Sequence, residues 1–505
     1  MKRGNENADF FIPDAYTFAD VTLVPLRSRI VSRRDPDLST RISRTISLKT
    51  VIVSSYMDTV TEEDMLIEMP RLGGIGIAHR FCSIEREIEM IKAAKRKEEL
   101  VIEDPYSVGP DATIQDLRKL MRRTAHSIVV VDNNGQFLGI VQYWHQLFET
   151  DENLRVRDLM IPAERALSAP AKDFAGLDQQ QIFEKADLIF KQDRVQKRLV
   201  LLDEGNCTKG LVTLRNVKNR KNPRTTRDSQ GRLAVAASVG IAGNYIDRAI
   251  ACYEAGADAL VVCVAHGHLE KCLNAVREIK RQLPDSDIIA GTIATEEGAD
   301  DLFRAGADSV LVGVGNGSIC RTRDVTGVGV PQLTALLWAA KAARRWNRPI
   351  LNDGGISSSD DIVKALAAGA SAVLLGNLLA GTDKSPSELK FINGRHVKMH
   401  RGMASIDAKK KLLESEGYLD EEIEAELLAS YASEGVEEGY VTYRGSTQTV
   451  VKALENGVRS GMSYRNALTI PELQKLRGKG TLKFVRNTEA GRREGHPHHL
   501  EFQQW

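Results

Sequence analysis

A glycine-rich loop that contains a cysteine offers the clearest chemistry in this chain. Residues 313–322 read Gly-Val-Gly-Asn-Gly-Ser-Ile-Cys-Arg-Thr, and a second glycine-rich stretch follows at 326–332. Glycines allow tight turns and close approach to a ligand, so Ser318 and the neighbouring amides are candidates to hold an anion, with Cys320 presented at the end of the loop. The alternative is a strand–turn–helix connection with a buried, inert cysteine. Features in the rest of the sequence are needed to choose between these two interpretations.

Short apolar runs of strand length recur along the chain and alternate with amphipathic, helix-like stretches. This alternation predicts parallel strands, and eight such runs predict a (β/α)8 barrel. Two of the helices also carry end signals: 245–255 stops at Gly256, and 358–368 starts with serines and stops at Gly369. The eight runs are Val51–Ser55, Gly74–Ala78, Leu233–Val239, Ala259–Val264, Asp287–Ile293, Ser309–Val314, Pro349–Asp353 and Ala372–Gly376.

A long insertion separates the second apolar run from the third, and it contains a weak internal repeat. Residues 127–141 and 199–213 each read as a strand, a polar turn and a second strand that ends in Gly-Ile-Val or Gly-Leu-Val. A helix-like stretch precedes each copy, at 114–123 and 177–191. Such paired α/β repeats resemble a tandem CBS module. The polar, basic segment 220–232 is expected to be the linker back to the barrel.

The expected organisation is therefore a barrel in two parts, 1–98 and 223–505, around a tandem CBS module at 99–222. In other proteins such modules bind adenine or guanine nucleotides, so ATP or GTP is a candidate ligand here. CBS repeats usually carry an acidic residue after the last strand to hold ribose hydroxyls. The corresponding residues in this chain are His145 and Asn216. Nucleotide binding and a purely architectural role both stay open.

Composition and charge narrow the class of protein. The chain has 505 residues, 42% of them hydrophobic and 27% charged, with 40 glycines, which is typical of an α/β protein of two or three domains. A net charge of +1 gives no reason to expect nucleic acid or a membrane as partner. No run approaches transmembrane length, and no signal-peptide core is present at the amino terminus. Six cysteines without metal-type spacing fit a reducing cytosol, so we expect a cytoplasmic protein.

In a barrel of this type, the residues that follow the strands face the site of chemistry. Those residues make the chain similar to the IMP dehydrogenase/GMP reductase family over nearly its whole length. The resemblance implies a purine nucleotide oxidoreductase that uses a nicotinamide cofactor. The motifs that carry it are Ser55-Tyr-Met-Asp-Thr-Val60, His79-Arg80, Gly317-Ser-Ile-Cys320, Asp353-Gly-Gly355, Arg401-Gly-Met403 and Gly457-Val-Arg-Ser-Gly-Met462.

The resemblance also implies roles for individual residues. Cys320 would add to C2 of a purine mononucleotide, and nearby amides or positive charge must stabilise the attacking thiolate. Asp353 would accept hydrogen bonds from the ribose hydroxyls, whereas Ser318, Gly355 and Gly376 would hold the phosphate. The other implied substrate contacts are Ser55, Met57, Asn377, Met403 and Ala404, and the implied cofactor contacts are Cys263, His266, Gly267 and Thr292.

Some members of the family also bind a monovalent cation through carbonyls of the cysteine loop and of a neighbouring subunit's carboxyl-terminal segment. Gly315, Gly317 and Cys320 match the first set, and Glu494-Gly495-His496 resembles the second. The resemblance therefore implies potassium. It also implies a homotetramer, with octamers formed through the insert. The histidine-rich tail has two other interpretations, a weak divalent-metal patch or a solvated end.

The two branches of the family differ in the flap, expected at about 401–445. Dehydrogenases pass hydride to NAD and then activate water with an adjacent arginine–tyrosine pair, but no arginine occurs between Gly402 and Gly435. The nearest match is Ser430-Tyr431. Reductases expel ammonia from GMP and take hydride from NADPH, using a threonine after the cysteine and a glutamate in Ala-Ser-Glu-Gly. Thr322 and Glu434 match these, so GMP reductase is favoured, while the acidic stretch 412–428 is interpreted as a solvated helical face.

Three positions depart from both branches. Cys263 stands where the family generally has aspartate, Thr292 where it has asparagine, and Leu311 where it has lysine or arginine. Losing an acid and a base together resembles replacement of a buried ionic network by less polar packing, which indicates a rebuilt site. Two further alternatives follow. The enzyme would act on a modified purine such as a deazapurine nucleotide, using NADPH or NADH, or the barrel would be a non-catalytic nucleotide-binding regulator.

Overall fold

A computed structural model describes residues 12–97, 100–103, 105–124, 127–415, 417, 420–430, 432–475 and 483–495. The chain divides into two compact units. One comprises residues 1–95, 224–228 and 233–505, and the other comprises 96–223 and 229–232. Within the described ranges, no helix has both the length and the apolar character needed to cross a membrane.

The larger unit contains a closed barrel of eight parallel strands, each paired with its neighbours in chain order. Strands of this kind are apolar throughout because helices cover their outer faces while side chains fill the interior. The barrel confirms all eight predicted strands. They are β1 (Ile52–Ser54), β2 (Ile75–Ala78), β3 (Val235–Val239), β4 (Ala259–Cys263), β5 (Asp287–Ile293), β6 (Ser309–Val312), β7 (Ile350–Asp353) and β8 (Ala372–Leu375).

Helices follow the strands around the barrel. The ends predicted for 358–368 are confirmed, with Ser358 at the N-cap and Gly369 at the C-cap, and the Ser358 hydroxyl donates to the Asp360 and Asp361 carboxylates instead of accepting a backbone N–H. The helices are α1 (Glu63–Arg71), α2 (Ile84–Arg96), α3 (Tyr245–Glu254), α4 (Glu270–Gln282), α5 (Glu296–Ala305), α6 (Gln332–Trp346), α7 (Ser359–Ala368) and α8 (Thr447–Tyr464).

A short hairpin packs its apolar side chains into the barrel interior. Strands Thr40–Arg41 and Ser47–Leu48 pair antiparallel, and Ile42, Ile46 and Leu48 belong to the interior cluster. The Ser43 hydroxyl donates to Asp287 at the start of β5, over 2.5 Å. The hairpin therefore lies at the amino-terminal end of the strands and leaves the opposite end for the site.

The smaller unit has the internal repeat that the sequence predicts. Each copy contains an antiparallel hairpin, Ser127–Val131 with Phe137–Gln142 and Arg198–Leu202 with Thr208–Thr213. The turns match in detail, because Asp132 and Asp203 each accept two backbone N–H groups of their own loop. Each hairpin belongs to a four-stranded sheet, and the remaining strands and helices are Val101–Ile102, Ser107–Val108, Ile161–Pro162, Ser168–Pro170, Ile114–Thr124, Val156–Leu159, Gln179–Gln192 and Leu214–Arg220.

A buried ion pair joins two of the outer helices of the barrel. Arg248 of α3 donates to Glu87 of α2 over 2.6 Å and to the Cys82 carbonyl over 3.0 Å. Burial raises the pKa of the Glu87 carboxyl to about 7 even beside this cation. Removing one partner of such a pair leaves an uncompensated polar group in the interior.

We expect Arg248→Ala to lower the free energy of unfolding by about 3–5 kcal/mol, because the Glu87 carboxyl loses its buried cation. Urea denaturation of the purified chain measures this effect. The matched control is Arg277→Ala, which removes an exposed arginine whose 3.4 Å pair with Glu270 lies on the surface of α4. Equal unfolding midpoints for the two variants would contradict the prediction.

Candidate active site

The cysteine loop follows β6 at the carboxyl end of the barrel and packs against the end of β7. Gly313 has φ +154°, and a Cβ there would lie 2.0 Å from the Asp353 carbonyl oxygen. The Gln332 side chain, which is buried, donates 2.7 Å hydrogen bonds to the Val312 carbonyl and to Asn352. Gln332 therefore connects the ends of β6 and β7. The sequence showed Gln332 only as the last residue of a glycine-rich stretch and did not indicate this role.

Three predicted catalytic side chains form one hydrogen-bonded chain. The Cys320 thiol donates to the Thr322 hydroxyl over 3.2 Å, and the Thr322 hydroxyl donates to Glu434 Oε2 over 2.7 Å. Glu434 lies 112 positions after Thr322 and reaches it from the flap. Thiol, hydroxyl and carboxylate in this order provide a path by which the thiol proton can reach the carboxylate.

The backbone of the flap pairs with the cysteine loop and fixes this geometry. The Arg321 N–H donates to the Glu434 carbonyl over 2.7 Å, and the Val436 N–H donates to the Ile319 carbonyl over 3.0 Å. Cys320 and Gly435 form an antiparallel bridge between these two bonds. The flap is therefore closed onto the cysteine.

Residues 402–405 support the flap from its other side. The Gly402 N–H donates to the Val436 carbonyl, and the Glu434 N–H donates to the Ala404 carbonyl over 3.2 Å. A Cβ on Gly402 would lie 2.6 Å from the Gly435 Cα. Met403 and Ala404, the implied contacts of the substrate base, therefore lie next to the flap segment that carries Glu434.

Because backbone cannot move aside as a side chain can, we expect Gly402→Ala to push the flap away from Cys320. A displacement of about 1 Å at a reacting group lowers kcat/KM by roughly 10²-fold. Steady-state kinetics checks the loss, and circular dichroism should show an unchanged fold. The matched control is Gly394→Ala, at a turn with no atom within 4 Å of the added Cβ but with φ +78°. A similar kinetic loss at Gly394 would contradict the steric explanation.

Charged and polar groups around Asp58 anchor the start of the flap. The buried Asp58 carboxylate accepts hydrogen bonds from Arg401 and, over 3.0 Å, from Lys411, and both cations lower its pKa against the opposing effect of burial. The neighbouring His400 ring bonds Thr59 over 2.9 Å, and burial lowers its pKa to about 4, so it is neutral at pH 7. Nothing in the sequence indicated that Lys411 would contact Asp58.

The acidic stretch 412–428 differs from the single helical face that was predicted. Two helices, Ile406–Ser415 and Glu421–Ser430, flank Gly417, which has φ +72°. A left-handed residue cannot continue an α-helix, which explains the break. The first helix also buries Ala408 and Leu412 against Phe81, so this part of the stretch is not solvated on all sides.

The implied substrate contacts outside the flap lie at the ends of β1, β7 and β8 and in the cysteine loop after β6. Tyr56 donates a 2.7 Å hydrogen bond to Asp353, whose pKa burial raises to about 6. Ser55 is buried, and its N–H bonds the Leu375 carbonyl, which brings it beside β8. The remaining contacts are Met57, whose sulfur lies 3.2 Å from a Cβ built on Gly376; Asn377, which begins a short helix; Gly355 with φ +76°; and the exposed Ser318.

The implied cofactor contacts lie at the carboxyl ends of β4 and β5 and in the loop after β4. The Thr292 hydroxyl donates to the loop carbonyls of Val264 and Ala265, so it shapes this loop. Gly267 packs so closely that a Cβ would lie 2.6 Å from the Gly291 carbonyl carbon. His266 is exposed, whereas the Cys263 thiol is buried and its pKa is raised by desolvation.

The implied cation site has two halves, the carbonyls of the cysteine loop and the carboxyl-terminal residues 494–496. The Gly317 carbonyl accepts the Cys320 N–H over 3.0 Å, and Gly315 has φ +78°. Glu494 ends the helix Glu489–Glu494, with Gly495 after it. In the described part of the chain, no hydrogen bond links these two residues to the cysteine loop. His496 lies outside the described residues.

The fold is an eight-stranded α/β barrel whose carboxyl end brings a cysteine thiol, a threonine hydroxyl and a glutamate carboxylate into one hydrogen-bonded chain. The IMP dehydrogenase / GMP reductase domain matches residues 15–498, so the chain belongs to that family, whose members are oxidoreductases that use a nicotinamide cofactor.

Named relatives lie on both branches of the family. The chain is 42% identical to inosine-5′-monophosphate dehydrogenase of Nitrosopumilus maritimus over 96% of its length and 98% of that protein. It is 39% identical to the enzyme of Bacillus subtilis with the same name, over 97% of both chains. Among solved structures, a cysteine-to-alanine variant of GMP reductase from Trypanosoma brucei with guanosine 5′-monophosphate has 38% identity and a TM-score of 0.87, covering 99% of this chain and 100% of that one.

Proposed function

We propose that this protein is a GMP reductase, which converts GMP, NADPH and two protons into IMP, NADP⁺ and ammonium. The observation that carries the proposal is the hydrogen-bonded chain from Cys320 through Thr322 to Glu434. Reductive deamination needs a nucleophile for C2 and a proton for the departing amine, and this chain offers both.

In the first step, the Cys320 sulfur bonds to C2 while its proton passes through Thr322 to Glu434. Glu434 then returns that proton, again through Thr322, to the exocyclic amino group. Ammonia leaves, so a C2–S bond replaces the C2–N bond. When bound, NADPH supplies the hydride that C2 accepts. Breaking the C2–S bond then releases IMP and leaves the Cys320 thiolate. One proton from solvent restores the thiol, and a second converts the released ammonia into ammonium.

The composition of the flap supports the reductase over the dehydrogenase. Hydrolysis of a dehydrogenase intermediate requires an activated water, and residues 402–435 contain no arginine to serve that purpose. Ser430 is the nearest match, and Tyr431 lies outside the described residues. The solved GMP reductase, which covers 99% of this chain, supports the same choice. IMP dehydrogenase remains the second candidate, favoured by the 42% identity to proteins of that name.

The remaining parts of the proposal concern ligands and assembly. Potassium would be held by the carbonyls of Gly315, Gly317 and Cys320, since backbone carbonyls suit this cation. The insert, 99–222, would bind ATP or GTP. A GMP reductase from Trypanosoma brucei solved with guanosine 5′-triphosphate, 36% identical, supports a guanine nucleotide. We further propose a cytoplasmic homotetramer that pairs into octamers, with the barrel formed by 1–98 and 223–505.

Nicotinamide absorbance tests the proposed reaction. Purified protein in potassium buffer is given GMP with NADPH in one assay and IMP with NAD in another. NADPH oxidation with release of ammonia supports the reductase, whereas NAD reduction by IMP contradicts it and assigns the dehydrogenase. Tight GMP binding with slow turnover favours a modified purine substrate. Binding of ATP or GTP by a protein whose Cys320 resists alkylation favours a regulator.

A further inference from the structure

Three side chains from distant strands meet at the carboxyl end of the barrel. Tyr56 follows β1, Cys263 ends β4 and Asp353 ends β7. The Tyr56 hydroxyl donates to Asp353 Oδ2 over 2.7 Å and also interacts with the Cys263 thiol. One phenol therefore spans the mouth of the barrel and contacts the carboxylate proposed to bind ribose.

The environment of Tyr56 is the apolar interior of the barrel. Its ring packs against the interior cluster that includes Cys263 and Leu311. The family resemblance implies an acid and a base at these two positions, and this chain has neither there. Because a buried acid and base would compete for polar partners, their absence leaves the Tyr56 hydroxyl directed to Asp353.

We propose that Tyr56 is a positioning residue for the nucleotide: its hydroxyl holds Asp353 through Oδ2, so that Oδ1 and the phenol oxygen face the ribose hydroxyls. This inference rests on the proposed purine nucleotide site but not on the direction of the redox reaction, since GMP and IMP carry the same ribose. The fixed carboxylate needs no reorientation when the nucleotide binds.

Tyr56→Phe keeps the ring in place and removes the hydroxyl. Hydrogen bonds to charged groups carry enough energy for roughly 10- to 100-fold in affinity, so we expect KM for the nucleotide to rise by that factor. The turnover number should change little, because the chain from Cys320 to Glu434 does not include Tyr56. A packing defect alone would not separate KM from kcat in this way.

The pH profile gives a second readout. The groups that face Asp353 are Tyr56 and Cys263, and Arg80 acts on Cys263. Burial raises the pKa of Asp353, and the bond from Tyr56 opposes that rise. Without the hydroxyl, the carboxylate protonates at higher pH. The acidic limb of kcat/KM should therefore move to higher pH in Tyr56→Phe.

The deciding experiment measures binding without turnover. In a Cys320→Ala background, calorimetry compares GMP, IMP, 2′-deoxy-GMP and 3′-deoxy-GMP with and without Tyr56→Phe. We expect Tyr56→Phe to lower the affinity for GMP and IMP by roughly 10- to 100-fold, and to lower the affinity for at least one deoxynucleotide by a smaller factor. The matched control is Tyr16→Phe, which removes an exposed tyrosine–aspartate bond to Asp14 of 3.1 Å.

If Tyr56→Phe lowers the affinity for all four nucleotides equally, or does not lower it at all, the inference is overturned. If the unmodified chain does not reduce GMP but the affinity differences between ribose and deoxyribose nucleotides are as expected, only the reductase proposal is overturned. If Tyr56→Phe does not fold, Cys263→Asp provides the test with Tyr56 intact. The added carboxylate would take the phenol's hydrogen bond and repel Asp353, so we expect weaker GMP binding and the same shift of the acidic limb. Unchanged GMP binding in Cys263→Asp would overturn the inference.

Discussion

Replacing Cys320 with alanine is expected to lower the turnover number by at least about 10³-fold, because no bond from sulfur to C2 can form. Nucleotide affinity should change only a few-fold, since the contacts proposed for phosphate and ribose lie elsewhere, at Ser318, Gly355 and Asp353. Steady-state assays and calorimetry on the same preparation measure the two quantities. Alkylation by iodoacetamide should abolish activity in the unmodified chain, and bound GMP should slow this reaction.

The matched control for Cys320→Ala is Cys207→Ala in the smaller unit, whose thiol donates to the Gly205 carbonyl of its own turn over 3.8 Å. It should retain full activity. If Cys320→Ala keeps more than about a tenth of the turnover, another group is the nucleophile. The buried Cys263 thiol is then the first candidate, and a Cys263→Ala variant would identify it.

Replacing Glu434 with glutamine is expected to lower kcat by about 10²- to 10⁴-fold, the range for losing a positioned general acid or base. Glutamine has nearly the same shape and can still accept the Thr322 hydrogen bond through its amide oxygen. It cannot take up or return the thiol proton. KM for the nucleotide should therefore stay within a few-fold, and the loss should appear in the turnover number.

The matched control is Glu438→Gln, four residues further along the chain, where an exposed carboxylate bonds only the nearby Tyr440 hydroxyl among the described residues. Because Thr322 and Glu434 act as one path, the double variant Thr322→Val/Glu434→Gln should be little worse than Glu434→Gln alone. Additive losses in the double variant would show that the two residues act separately. A loss confined to KM would indicate that Glu434 binds substrate instead of moving protons.

The sequence determined the barrel and the repeated insert, because their signals are local. Runs such as 259–264 and 309–314 are apolar on both faces, as only strands covered by helices can be, and the matching turns of the insert repeat within the sequence itself. The cysteine loop was recognisable for the same reason, since its glycines and Cys320 are adjacent in the chain. The break at Gly417 was missed, because a glycine in an acidic helical stretch does not reveal its φ angle.

Contacts between distant parts of the chain were decided by the tertiary structure. Thr322 and Glu434 were paired in advance only through the family resemblance, and their 2.7 Å bond depends on backbone pairing between the flap and the cysteine loop. Nothing in the sequence indicated the hydrogen bond from Lys411 to Asp58 or the one from Tyr56 to Asp353. Barrel closure alone brings the ends of β1, β4 and β7 together, so the partners of a side chain at that rim depend on the fold and not on its neighbours in sequence.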